Sequence, residues 1–287
     1  MLELKNVNIA YNGTPIVRDV SLTVGDAQIV GIVGESGSGK STLIRSIIGL
    51  LGREGRITSG KIIFDGEALE RKSEKELCQI RGSQIAMIFQ QPESSFDPIE
   101  TIGSQFCETL RFHQKMRKKE AWKKGTELLA ALHFEEPERV MSSYPFELSG
   151  GMCQRAAIAL GMACRPKLLL ADEPTSALDV TVQAHTARTL LELRESSGTS
   201  ILMVTHNMGV IAYMADLVGV MYRGRIVEWG TREDILLRGT HEYTKSLIRA
   251  IPRLGGSFQQ QEPYRGISME NGERRMLSET HWIWTEK

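Results

Sequence analysis

Nine residues, Gly34 to Thr42 (GESGSGKST), stand between the apolar runs QIVGIV and LIRSIIGL. They fit the pattern G-x-x-x-x-G-K-[ST] at Gly34, Gly39, Lys40 and Ser41. The run before them is short, apolar and rich in β-branched residues, as a buried parallel strand is. The run after them places Leu43, Ile44, Ile47, Ile48 and Leu51 at helical spacing. A strand, a glycine loop and a helix in that order form a phosphate cradle. Glycine lets the backbone N–H groups turn inward without a Cβ clash, and the helix start adds positive dipole. Lys40 is placed to reach the β- and γ-phosphates and Ser41 to ligate Mg²⁺.

Composition narrows the partners. The 287 residues suffice for one large domain or two modest ones. Lysines and arginines equal the acids in number, so no net field draws the chain to nucleic acid or anionic lipid. The basic run KMRKKEAWKK, Lys115 to Lys124, reads as the solvated face of a helix. Cys78, Cys107, Cys153 and Cys164 lack close metal spacing, and free thiols in a reducing compartment are expected. The N-terminal residues lack the apolar core of a signal peptide. The apolar stretch Ala156 to Cys164 is far shorter than the ~20 residues of a spanning helix. A membrane role therefore has to come through a partner.

Later segments select among phosphate-loop proteins. KLLLADEP, Lys167 to Pro174, reads as a buried strand delivering Asp172 and Glu173 at its C-terminal edge, where open α/β sheets bind ligands. Asp172 suits the Mg²⁺ shell and Glu173 the general base that polarises the attacking water. Upstream, LSGGMCQ, with Ser149, Gly150, Gly151 and Gln154, resembles the signature motif of ABC ATPases. It precedes an apolar helix with Ala156, Ala157, Leu160 and Ala163 on one side, and it offers a second anion site at that helix start. Taken alone, Ser149 would read as a helix N-cap.

The resemblance extends along residues 1–252 and carries further expectations. Gln90, in MIFQQPESSFDP, resembles the Q-loop glutamine that senses Mg²⁺ and water. SALD, Ser176 to Asp179, resembles the D-loop, and His206 after ILMVT resembles the switch histidine at the γ-phosphate. Tyr11 resembles the aromatic that stacks on adenine, although a strand tyrosine is an alternative reading. The family implies ATP contacts from Gly34, Glu35, Ser36, Gly37, Ser38, Gly39, Lys40, Ser41 and Thr42. It implies Mg²⁺ at Ser41, Gln90 and Asp172, catalysis by Glu173, His206 and Gln90, and contacts to the opposite subunit's ATP from Ser149, Gly150, Gly151 and Gln154.

The fold implied is α/β: a P-loop NTPase core of RecA type, with an antiparallel β subdomain and an inserted helical subdomain at about 91–162. Asp65-Gly66 and Arg223-Gly224 read as turns between strands, and TVQAHTARTLLELRESSG as an amphipathic helix capped by Gly198. After Pro252 the chain is polar and aperiodic. Residues 253–287 read as a linker, or as a tail packed through Trp282, Ile283 and Trp284.

Within the family the likeness is to ATPases of peptide and nickel importers, carried by IAMIFQQPESSFDPIETIG, ADEPTSALDVTVQA and HEYTKSLIRAIP among other stretches. It implies a second ATPase subunit in a heterodimer, two membrane permeases that dock near 91–105, and an extracytoplasmic binding protein. The chain is expected at the cytoplasmic face of the membrane. The last cysteine is Cys164, so the tail cysteine cluster of many peptide-importer ATPases is missing, which leaves nickel or metal-chelate cargo as an alternative. Cys153 stands where polar or basic residues are usual, altering the surface of the signature helix, and Glu242 stands where H-x-Y-T usually has proline. An ABC ATPase acting on nucleic acid is the rival from another class. It would need long coiled coils or a CxxC hook, and the insert here is short and has none.

Overall fold

The computed structural model describes residues 1–175, 180–250, 264 and 272–286. The first stretch of the chain contains β1 (Leu2–Tyr11), β2 (Thr14–Val24), β3 (Ile29–Val33), α1 (Lys40–Ile47), β4 (Gly55–Phe64) and β5 (Glu67–Ala68). The middle contains α2 (Glu74–Ile80), β6 (Ile85–Ile88), α3 (Ile102–Gln114), α4 (Lys118–Ala131), α5 (Pro137–Ser142), α6 (Gly150–Met162), β7 (Leu168–Asp172) and α7 (Val180–Ser197). There follow β8 (Ser200–Thr205), α8 (Met208–Met214), β9 (Leu217–Tyr222), β10 (Arg225–Thr231), α9 (Arg232–Arg238), α10 (Glu242–Arg249), β11 (Gly272–Met276) and β12 (Trp282–Glu286). Two compact units result, Met1–Glu70 with Met203–Lys287, and Arg71–Leu202.

In the first unit, β2, β1, β4 and β5 form an antiparallel sheet in that order. Its inward side chains alternate at period 2 except for one step of three in each strand, where the pairing register shifts: Leu2, Leu4, Val7 and Ile9 of β1 are buried, and so are Val17, Val20, Leu22 and Val24 of β2. Leu2 lies opposite Val24, and Leu4 opposite Leu22. The β4–β5 turn is Asp65-Gly66, both at positive φ (49° and 85°), as the sequence predicts. A second strand run, β11–β12–β10–β9–β3, places β3 parallel to β9 and the remaining pairs antiparallel. All five residues of β3 are buried.

The C-terminal segment is a packed tail. Trp282 and Ile283 are buried, and β12 pairs with β10 at Glu228↔Ile283 and Trp229↔Trp282. Burying each of these side chains contributes on the order of 1.5–3 kcal/mol, enough to hold a short hairpin on an existing strand edge. Arg225 covers the Trp284 ring at 4.8 Å. The hairpin strand β11 has no hydrophobic pattern of its own, which is why its residues read as linker or tail.

In the second unit β6 and β7 are parallel, with Ile85 opposite Leu168 and Ile88 opposite Ala171. The helices α3 to α6 bury Ile102, Phe106, Leu110, Ala121, Leu129, Val140 and Met141. Helix α7 ends at Gly198 (φ 69°), whose N–H donates to the Arg194 carbonyl, the C-cap expected. No helix among the described residues is long and apolar enough to cross a membrane.

Candidate functional site

The glycine loop folds as its pattern requires. Helix α1 starts at Lys40 behind Gly39, which takes φ 103° and supplies no side-chain cap. A non-glycine residue at that φ is strained. A glycine N-cap brings no side-chain acceptor of its own to the first amides of α1, and a helix start of this kind favours an anion. Lys40 is buried, its ammonium donating to the carbonyls of Gly34 (2.7 Å) and Glu35 (2.8 Å). Glu35, Ser36 and Gly37 form the exposed arm of the loop, and Ser41 and Thr42 are half-buried at the helix start.

Gly34 is demanded by close approach. A Cβ there would lie 2.1 Å from the carbonyl oxygen of Met221 in β9. Gly34→Ala is expected to cost about 1–3 kcal/mol through forced backbone shifts and to weaken ATP binding, measured by urea unfolding and nucleotide titration. Two contacts from distant sequence brace the loop, and neither was singled out in the sequence. The Ser38 carbonyl accepts from Gly224 N–H at 2.9 Å, and Glu35 N–H donates to the Tyr243 hydroxyl at 2.9 Å. The only sequence signal for the second was the H-E-Y-T stretch, which carried a likeness but no role.

Tyr11 closes β1, half-buried, with its ring against Gly55: a Cβ there would lie 2.8 Å from the ring carbons Cε1 and Cζ. The strand reading of Tyr11 is thus met. His206 is exposed just past β8, followed by Asn207, which caps α8 by accepting from Gly209 N–H.

The second unit carries the acids. Every residue of β7 is buried, including Asp172 at its C-terminal end. Glu173 follows, buried and at φ 48°. A long side chain in the left-handed region costs of order 1 kcal/mol, and such outliers cluster at functional sites. Gln90, two residues past β6, donates its Nε2–H to Glu173 Oε2 at 3.5 Å, the outer limit of a hydrogen bond. Two family motifs 83 residues apart in sequence are thereby brought together. Asp179 of the SALD motif lies outside the described residues.

Ser149 is the N-cap of α6, its hydroxyl accepting from Met152 N–H at 3.3 Å. Ser149 thus fills the cap role, and it and Gly150 are exposed at the helix start. A cleft of about 680 Å³ opens beside them, with Arg139, Arg155, His133 and His185 among its lining residues. Gln154 points into the core instead, with its Nε2 unpaired among the described residues. The buried stripe of α6 runs through Cys153, Ala156, Ala159 and Met162, while Ala157 and Leu160 are only half-buried. Of the four residues expected on one side, Ala156 and Ala163 are buried and Ala157 and Leu160 are not. The expectation for Cys153 is corrected: it leaves the helix surface unchanged because its thiol faces the core, where burial pushes its pKa to about 11. A helix that is apolar nearly all round has no sequence stripe to show which face goes inside.

The model for the ABC transporter family matches residues 17–176. The chain belongs to that family. It is 41% identical to the oligopeptide transport ATP-binding protein AppD of Bacillus subtilis, over 93% of this chain and 83% of that protein. It is 44% identical to the oligopeptide transport ATP-binding protein OppD of Haemophilus influenzae, over 90% of this chain and 80% of that protein. Among solved structures, the dimeric ATP-binding cassette MJ0796, in a post-hydrolysis state bound to ADP and Pi, superimposes with a TM-score of 0.72 at 31% identity. That match covers 81% of this chain and all but 1% of the cassette. As a member of the ABC transporter family the chain is an ATPase, and the α/β phosphate-loop fold with an antiparallel β sheet is the one its sequence led us to expect.

Proposed function

We propose that this chain is the ATP-hydrolysing subunit of an importer of peptides across the cytoplasmic membrane. The observation that carries the reading is its 41–44% identity, over about four-fifths of their length, to proteins named as oligopeptide transport ATP-binding proteins. That identity favours peptide cargo over nickel or metal chelates.

Lys40 and the loop amides from Gly34 to Thr42 hold the triphosphate, and Tyr11 stacks on the adenine. The glycine-capped start of α1 and the buried Lys40 ammonium are the features such an anion fits. Ser41, Asp172 and Gln90 offer oxygens, the hard donors that suit Mg²⁺. When bound, the ion neutralises charge on the β- and γ-phosphate oxygens. Glu173 draws a proton from the attacking water, and Gln90 and His206 orient that water and the γ-phosphate. Ser149, Gly150 and Gly151 reach the ATP of a second ATPase chain, and a D-loop role for Asp179 is carried over from the family motif alone. Each chain supplies half of each grip, so ATP closes the pair and phosphate release opens it.

The partners are a second ATPase subunit, as a heterodimer, two permeases that dock near 91–105 and an extracytoplasmic binding protein. The test is the reconstituted complex in vesicles. Turnover is expected to rise several-fold with peptide-loaded binding protein and to stay flat with nickel chelates. Full-rate hydrolysis by isolated monomers, indifferent to a second chain, overturns the reading.

A further inference from the structure

A chain of hydrogen bonds runs from the C-terminal segment to the phosphate loop within the first unit. Glu228 of β10 is fully buried, and its carboxylate accepts from Thr240 N–H (2.7 Å) and His241 N–H (3.1 Å) and meets His281 Nε2 at 2.8 Å. His241 is in turn the N-cap of α10, its Nδ1 accepting from Tyr243 N–H at 3.1 Å. Burial holds the His241 pKa below its usual value, which favours the neutral ring that can accept. Glu242 sits at the first position of α10, where an acid suits the helix dipole as well as proline suits the backbone.

Tyr243 is the end of this chain. It is completely buried, with its ring 4.4 Å from Tyr222 and 5.6 Å from Tyr264 of the C-terminal segment. Its hydroxyl accepts the Glu35 N–H, while the carbonyl of that same residue accepts from Lys40 Nζ. Burial lifts the Tyr243 pKa to about 12, so the phenol stays neutral throughout the working range. One side chain therefore fixes, from behind, the loop residue against which the phosphate-binding lysine rests.

We propose that Tyr243 is a positioning residue for the phosphate loop, and that Tyr264, His281 and Glu228 hold it there, so that ATP affinity depends on the C-terminal segment. The inference rests on the reading of the loop as the nucleotide site. A bond made equally in the bound ground state and the transition state changes KM and leaves kcat alone. The bond is internal to the protein, so its loss weakens binding by lowering the population of the competent loop, and the net worth of one neutral hydrogen bond caps that effect at about tenfold.

The experiment compares the full-length chain with Tyr243→Phe, Tyr264→Ala and Lys40→Ala. It measures equilibrium binding of a fluorescent ATP analogue beside urea unfolding, and KM and kcat in the transporter complex. Tyr243→Phe keeps the ring and removes only the hydroxyl. It is expected to bind the analogue three- to tenfold more weakly, with KM raised and kcat within twofold. Tyr264→Ala, which removes a ring packed against Tyr222 and Tyr243, is expected to move affinity about twofold to threefold in the same direction. A purely structural tyrosine would lower the unfolding midpoint and leave the affinity of the folded protein unchanged. Parental affinity in both tyrosine variants, while Lys40→Ala loses binding, overturns the inference and spares the nucleotide site. Parental affinity in all three overturns both.

Discussion

Glu173→Gln is expected to bind ATP as tightly as the parent and to turn it over at least a hundredfold more slowly. The substitution is isosteric, so the left-handed backbone at φ 48° and the burial of the side chain are retained. What is removed is the carboxylate proposed to accept a proton from the attacking water. Removal of a general base costs roughly 10²- to 10⁴-fold. Gln90 still has a partner, because an amide oxygen can accept its Nε2–H as the Glu173 carboxylate does. ATP is then bound and not cleaved, so the paired ATPase chains accumulate closed. Steady-state phosphate release, with nucleotide-dependent dimerisation followed by size-exclusion chromatography, checks both halves. Normal hydrolysis by this variant paired with its partner would show that the base lies elsewhere.

Lys40→Ala is expected to fail one step earlier, losing ATP affinity by roughly ten- to a hundredfold. Hydrogen bonds to charged groups contribute about 1.5–3 kcal/mol, and the proposed role of the ammonium is to supply them to a triphosphate. It also ties the Gly34 and Glu35 carbonyls together, so its removal frees the arm of the loop as well as deleting a charge. Isothermal titration with ATP and with AMP separates the two possibilities. A lysine that serves the phosphates costs ATP affinity and leaves AMP almost unchanged, whereas general damage to the fold weakens both. Lys40→Arg should not restore binding, because a planar guanidinium does not fit a cradle shaped for a compact ammonium.

Much of this molecule was legible because its chemistry is local. The phosphate loop needs only a strand, glycines that permit the turn, a lysine and a helix start, all within about twenty residues. The turns at Asp65-Gly66 and Arg223-Gly224 and the stop at Gly198 rest on the backbone preferences of one or two residues. The acids at the end of β7 were placed by the apolar run before them. The orientation of α6 was illegible because its helix is apolar on nearly every face, and Cys153 consequently turned inward against expectation.

By itself, the sequence determined the order of the motifs, the phosphate-binding turn, the α/β fold and the membership of a transporter ATPase family, each of which depends on short-range pattern. Only the tertiary structure decided that Gln90 meets Glu173, that Trp282 and Ile283 seat the tail on β10, and that the Tyr243 hydroxyl holds the Glu35 amide from 208 residues away. Those contacts form where packing brings distant residues to one place. No local propensity encodes which buried donor will find which acceptor, since that choice is made only when water has been excluded and every polar group must be matched.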